Sequence, residues 1–477
     1  MKKVVAHAWN YFQLRIIGEK GRKEEESKLL SMMKVLSGIA LAASLWSQGS
    51  SAGVLAEETQ PLPERVNPVT VPAQIAFTSN QQLWMLNGQD KKSKPVQVTK
   101  EGISEIVGWS GDGNWLLFMK YPDEDSYYTK GYLWAVSKDG SSSLQIDERP
   151  IVEKPKWSPI TNQFAYVAGT VSGTDTEAET SFVTAQLNKD NTVSIISTVK
   201  ADFVDFAWMP DGKQFLVSLP VEKDRPMTLS LRDLAGKTVA SYPIADLPKA
   251  GEEIYAWAAK ALQVSPDGKQ VAYYVQYNSA SLSADGVPVQ LFDLSQPKQK
   301  PLVLGTGLAY AEWLGWSPDS SQLAWIDGSD RMATQNKQVK VVDRQGKLVF
   351  EGEKGQVDSF PVWTKESPHS LFFTRGLAKE YHYEPEKVMV PGQRIWMRGT
   401  DGKAAQVTKG SEHTADTFPS PSQDGEQLLF VRLDAAGHGS LYLEKGGEEV
   451  ELIRHVTGNI GYYANYLPEW IEVYWDK

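Results

Sequence analysis

The residues with chemistry to offer are carboxylates, and they recur at one place in a repeat. Glu105, Glu153, Asp205, Glu312, Asp358 and Asp416 each stand three to five residues before a Trp or the residue that replaces it. Converging carboxylates repel one another, so a ring of them would take Ca2+ or a Lys/Arg-rich segment of a partner. Two carboxylates roughly 5–10 Å apart could instead run lyase or glycosidase chemistry. Lys260 breaks the series in one repeat, and Asn465 holds the comparable place in the last. The acidic run Asp123-Glu124-Asp125 lacks the Gly and distal Glu of a calcium loop and reads as solvated. Other chemistry is sparse. There is no Cys, hence no disulfide, thiolate metal site, iron–sulfur cluster or thiol nucleophile. Six His are present, none in metal-ligand spacing. Gly49-Ser50-Ser51-Ala52-Gly53 has the letters of a nucleophile elbow, without the strand and helix that would present its serine. The expectation is a chain that is not an enzyme and holds no cofactor, with Ca2+ at the acidic rim as the alternative.

The elements that position these acids are short strands in a long repeat. An apolar-flanked Trp is followed by Ser, an Asp-Gly turn and an apolar strand. Trp109-Ser110-Gly111-Asp112-Gly113, Trp208-Met209-Pro210-Asp211-Gly212, Val264-Ser265-Pro266-Asp267-Gly268 and Trp316-Ser317-Pro318-Asp319 are the clear copies. Weaker ones begin at Trp157, Trp363 and Pro421. Successive gaps are 48, 51, 56, 52, 47 and 58 residues. Short strands at such a period indicate propeller blades. Asp-Gly between apolar runs is a hairpin signal, because the tight turn needs positive φ. A second turn follows an aromatic strand, as at Trp134 before Asp139-Gly140 and Trp396 before Asp401-Gly402. Each unit therefore has four strands. The tryptophans should fill the seams between blades, and the Ser or Thr after each should cap the turn.

The ends complete each other. The segment from Gln74 begins at the second strand of a blade, and the tail near Trp470 looks like an inner strand with no blade after it. Pairing the two would close the ring and abolish an open sheet edge. The expectation is an all-β propeller of eight four-stranded blades over residues 74–477, closed by its N- and C-terminal strands. Seven blades is the alternative, should the tail cap the surface instead.

Residues 35–46, VLSGIALAASLW, form an apolar run too short to span a bilayer as a helix. With Lys34 before it and small residues after it, the run matches an export signal cleaved near Ala56. Residues 1–56 are thus read as leader and signal, with translation expected to start at Met32 or Met33. Residues 57–73, rich in Pro and Glu, are read as a linker. The mature chain should carry no membrane span.

The Trp-Ser-Pro-Asp-Gly run and the strand after it resemble the repeat of the TolB-like propeller family. Residues 208–217, 264–274 and 316–325 carry the likeness, which extends more weakly from Gln74 to Trp475. The resemblance implies a periplasmic propeller that makes protein contacts in the cell envelope. Members have six blades behind an α/β domain. Here the repeats are more numerous, and residues 57–73 are too few for that domain. The repeat is also similar to the propellers of prolyl oligopeptidases and dipeptidyl peptidases, whose hydrolase domain the residues after Trp475 are too few to supply.

Charge and loops complete the reading. Lys plus Arg number 49 against 59 Asp plus Glu, a net charge of −10, which disfavours nucleic-acid phosphates. Long insertions carry recognition on propeller faces, and the aromatic stretch Tyr381, His382, Tyr383 is the candidate contact loop. The chain is expected to be an exported monomer that binds a protein or peptide partner, secreted or held at the cell envelope. A propeller enzyme and a carbohydrate-binding module are the alternatives.

Overall fold

The computed structural model describes residues 61–123, 130–169, 179–378, 390, 392–458 and 470–476. The candidate loop residues Tyr381, His382 and Tyr383 lie outside the described residues, as do Asn465, Glu124, Asp125 and everything before Pro61.

The second strand of each blade is an apolar run buried along nearly its whole length, as in Trp115–Tyr121, Gln214–Leu219 and Gln270–Tyr277. A strand buried on both faces needs a neighbour on each side, and a radial stack of sheets supplies it. The fold is accordingly all-β, with eight antiparallel sheets; in six of them the four strands run in chain order from the centre outwards, and the two that involve the chain ends depart from this. We number the blades 1 to 8 by their inner strands. These are Ile471–Trp475, Ile103–Trp109, Ile151–Trp157, Asp205–Trp208, Ala256–Val264, Leu314–Trp316, Gln356–Trp363 and Ala415–Pro421. Each inner strand contacts the next, and the cycle returns from blade 8 through blade 1 to blade 2.

Each of the eight seams holds its own apolar cluster. Trp115, Leu117 and Met119 of blade 2 meet Phe164, Tyr166 and Val183 of blade 3, for example. Phe182 meets Phe206 and Phe215 edge-on across the next seam, at centroid distances of 4.9 and 4.7 Å. The turn chemistry is as the repeat implies at four serines, whereas the buried Ser158 hydroxyl caps nothing among the described residues. Ser110 Oγ donates to Asp112 Oδ1 (2.7 Å) and accepts from the Trp115 amide (3.0 Å). Ser265, Ser317 and Ser422 do the same in their own blades.

Blade 1 is built from both ends of the ring. Ala73–Phe77 pairs antiparallel with Ile471–Trp475, in register Ala73↔Trp475 to Phe77↔Ile471. The position expected at Trp470 is corrected by this register. Trp470 precedes the strand, and the residue that ends it, as Trp109 ends the blade 2 strand, is Trp475. Upstream, Glu64–Arg65 pairs with Arg454 and Ile453 as a fifth strand outside blade 8. The Arg65 guanidinium then donates to the carbonyls of Asp90 (2.7 Å), Ser93 (3.0 Å) and Val69 (2.7 Å), tying that strand to blade 1. Among the described residues no helix is long and apolar enough to cross a membrane.

Candidate functional site

The inner strands are irregular in their middles, and this sets what reaches the ring centre. Their pairing with the second strand slips between Ile106 and Gly108, between Lys260 and Gln263, between Ser359 and Val362, and between Thr417 and Ser420. Such bulges twist a strand and re-aim its side chains. Ala261, Phe360 and Phe418 take positive φ there (52°, 50° and 53°), and Gly108 sits at 148°. A left-handed L-residue costs about 1–2 kcal/mol, which the surrounding sheet has to offset. The turned-in rings form an arc across the seams of blades 6, 7, 8 and 1. Centroid distances run Trp313–Phe360 6.5 Å, Phe360–Phe418 5.2 Å and Phe418–Trp470 5.9 Å.

The six sequence-derived acids divide into two groups. Asp358 and Asp416 are fully buried and face their own blades' second strands. Arg375 holds Asp358 through Nε (2.7 Å) and Nη2 (3.1 Å), and the Val339 amide adds a third bond (3.0 Å). Arg432 holds Asp416 in the same two-pronged way (2.7 and 2.9 Å). Burial pushes both carboxyls up, and the guanidiniums oppose it in part. Glu105, Glu153 and Asp205 lie instead among lysines of other inner strands, one or two blades away. Lys154 bridges to Glu105, whose other oxygen accepts from Tyr121 (2.8 Å). Lys156 reaches Asp205 (2.7 Å), and Lys260 lies 3.4 Å from Glu153 and bonds to the Val204 carbonyl. Burial works against the Asp205 charge, yet Lys156, Lys260 and the Leu262 amide hold its carboxyl below the usual range. Blades 2 to 5 thus present mixed charge, with Lys260, read as a gap in the series, acting as a counter-ion. Among the described residues no three His, Asp or Glu side chains meet as a metal-ligand cluster.

Glu312, the sixth acid, belongs to a short turn of 3-10 helix, Ala311–Trp313, and lines a cavity of about 240 Å3 in the other half of the ring. Phe360, Lys365, Phe418, Glu472 and Trp475 line it too. Glu472 is the inner-strand acid of blade 1. Burial raises its pKa to about 7 against the pull of Lys365 and the Trp109 backbone. The sequence carries a signal for it: Glu472 precedes Trp475 by three residues, as Asp205 precedes Trp208. With the last inner strand expected near Trp470, Asn465 takes the acid's place and Glu472 falls outside the series. Phe360 and Phe418 leave no comparable signal, because the bulges that turn them inwards have no fixed sequence.

The tryptophans do more than fill seams. Four repeat indoles donate to a carbonyl of the preceding inner strand: Trp157 to Gly108 (2.8 Å), Trp208 to Lys156 (2.9 Å), Trp316 to Gln263 (3.0 Å) and Trp363 to Gly315 (3.1 Å). Trp109 bonds likewise to Glu472 of the closing strand (3.2 Å). Blades 5 and 8 carry Val264 and Pro421 at this position and lack the bond. Leu262 N to Asp205 and Ala259 N to Ser218 Oγ (both 3.0 Å) join blades 4 and 5 instead. Trp475, which would reach across to blade 8, is buried with its indole nitrogen unbonded among the described residues.

No protein-family model and no curated protein matches the sequence. Solved structures do resemble the fold. TolB from Acinetobacter baumannii is 14% identical over 58% of this chain and 62% of its own, with a TM-score of 0.35. Prolyl oligopeptidase B from Galerina marginata is 13% identical over 75% of this chain and 52% of its own, at 0.45. The β-propeller domain of the Trilobed protease from Pyrococcus furiosus is 11% identical over 74% of this chain and 98% of its own, at 0.41. The chain spans less than two thirds of the length of the TolB and oligopeptidase structures. At such identities the likeness concerns the fold. The chain is an eight-bladed propeller similar to those of TolB and the prolyl peptidases, and its blade count rests on its own strand pairing.

Proposed function

We propose that the protein is an exported, non-catalytic propeller that binds a protein or peptide in the cell envelope or outside the cell. The observation that carries this reading is how the carboxylates are engaged. Asp358 and Asp416 are gripped by guanidiniums in bidentate fashion, and Glu105, Glu153 and Asp205 by lysines. A carboxylate fixed in this way is poorly placed to shuttle a proton or attack a sugar, since it would have to abandon a charged partner. The same pairs stiffen the ring. A rigid disc with a mixed-charge rim and an aromatic-lined cavity suits the capture of a polypeptide segment.

The test is affinity capture by the mature chain from its own envelope fraction, with the bound material analysed intact. A polypeptide retained without turnover is expected. Released sugar or a cleaved partner would overturn the reading in favour of an enzyme. Export is tested separately by N-terminal sequencing of the native protein, which should begin at Glu57. A native product that retains residues 35–56 would refute the signal assignment.

A further inference from the structure

A strand at a sheet edge carries bare N–H and C=O groups, and proteins guard such edges by shortness, Pro, charge or a cover. The outer strands of blades 1, 2 and 7 (Val96–Gln97, Ser143–Gln145, Ala404–Gln406) are two or three residues long. Blade 6 has four, Leu348–Glu351, ending on an acid. Blade 4 ends on Pro243, and blade 5 is weakened by Gly305 and Gly307. Blade 8 has nine, Glu448–Val456, with three Glu and an Arg, and the Glu64–Arg65 strand covers part of its edge. Blade 3 departs from all of these. Its outer strand, Val193–Lys200, reads VSIISTVK, eight residues with no Pro, no Gly and a single charge at its end. Among the described residues it pairs only with Thr180–Leu187 of its own blade. Ile195 and Ile196 are 54% and 40% exposed, while Val199 leans on the Gly236 turn of blade 4 and holds the strand in place.

The register of this strand decides what can join it. Backbone bonds fix its two ends, from the Asn188 amide to the Thr192 carbonyl and from the Ala201 amide to the Thr180 carbonyl. Counted inwards from both, alternate residues turn their backbone groups away from the blade, and the pairing slips by one residue between Ile195 and Ser197. The outward positions are therefore Val193, Ile195, Thr198 and Lys200, in steps of two, three and two residues. A regular strand presents its groups at every second residue and would fall out of step at the bulge. A second copy of the same strand, related by a twofold axis, has the same long step at the same place. Ile195 then faces Thr198, Val193 faces Lys200, and the two lysines stand roughly 20 Å apart at opposite ends.

We propose that two copies of the chain associate at this edge, by antiparallel pairing of their Val193–Lys200 strands about a twofold axis beside the Ile196–Ser197 peptide. Pairing consumes the bare edge of both copies, so the assembly stops at two. The contact is small, so the monomer expected from the sequence is the form present in dilute solution.

Sedimentation velocity of the mature chain from about 1 to about 200 µM tests this, the range being set by the weak affinity of so small an interface. Monomer should pass to dimer across the range, with no larger species. Thr198→Pro removes an outward N–H, keeps the bonds to Thr180–Leu187, and should weaken association at least about tenfold with an unchanged melt. Ile195→Lys places a charge within the pairing and should do the same without altering the backbone; it decides the matter if the proline variant melts lower. Val239→Lys, on the exposed outer strand of blade 4, should leave the dimer intact. A parent that is monomeric throughout, a dimer that survives both strand variants, or one lost equally in Val239→Lys would overturn the inference. So would a monomeric parent whose capture of a polypeptide is abolished by Thr198→Pro, since the edge would then serve a foreign strand. A monomeric parent that still captures a polypeptide leaves the scaffold reading intact and removes only this interface.

Discussion

At the residue scale, seam tryptophans combine two roles that substitution can separate. Trp157 packs edge-on against Phe164 at 5.3 Å and donates to the Gly108 carbonyl across the seam. Trp157→Phe keeps most of the packing and loses the bond, which should cost about 1–2 kcal/mol. Trp157→Ala also opens a cavity and should cost about 3–5 kcal/mol. Denaturant unfolding of the three proteins measures both. An equal loss in Phe and Ala would show that packing contributes little there. The buried Asp358–Arg375 pair makes a sharper case. Asp358→Asn leaves Arg375 charged and largely unpaired in a dry site, an expected loss of about 3–5 kcal/mol. The double change Asp358→Asn with Arg375→Met should recover part of it. A double-mutant cycle with no coupling would refute the pairing.

Glu472 gives a pH signature at the same scale. Its pKa is raised from 4.5 to about 7 in the folded ring, so the folded protein holds the proton more tightly than the unfolded chain. Its contribution is therefore complete below about pH 4.5 and lost as pH rises through 7. The side chain is part-exposed, so the loss by pH 8 should be about 1–2 kcal/mol, less than the full shift would imply. Glu472→Gln imitates the protonated form. It should remove this portion of the pH dependence between 5 and 8 and melt higher than the parent at pH 8. Parallel pH profiles for the two proteins would sink the assignment.

At the element scale, the blades were legible because their physics is local. A Trp, a Ser-capped Asp-Gly turn and an apolar strand need only near neighbours in sequence, and the positions from Trp109 to Pro421 each end an inner strand, while the last one falls at Trp475 and not at Trp470. Gly113 shows how tightly the turn is specified: it has φ 67°, and a Cβ there would lie 2.3 Å from the Tyr474 ring of the closing strand. The site was legible only in part, because its content depends on pairing between blades. The sequence shows Asp358 and Asp416 preceding their tryptophan positions, but not that Arg375 and Arg432 stand opposite them on the next strand. Neither does it reveal that Lys154 and Lys156 of one inner strand neutralise acids on its two neighbours. The aromatic arc was hidden for the same reason, since a bulge is decided by the whole sheet.

At the scale of the molecule, closure joins chain segments almost four hundred positions apart. The Ala73–Ser79 strand is buried between its own hairpin partner and the tail, and Trp470, Ile471 and Trp475 belong to the same apolar cluster as Ile75 and Phe77. The tail also accepts the Trp109 indole bond of blade 2 and donates, through the Asp476 amide, to the Pro72 carbonyl (2.9 Å). Deleting residues 470–477 would therefore strip one seam cluster, one inter-blade bond and the inner edge of blade 1 together. An exposed apolar edge recruits other chains, so the truncated protein should lose its cooperative melt and elute as larger species in size-exclusion chromatography. A synthetic peptide of residues 470–477 supplied in excess should restore part of the melt, because it binds only the folded ring. Peptides carrying Ile471→Asp or Trp475→Ala should fail to do so. A truncated protein that stays monomeric and melts like the parent would mean that the ring is held by its other seams, and that strand pairing between the two ends adds no measurable stability.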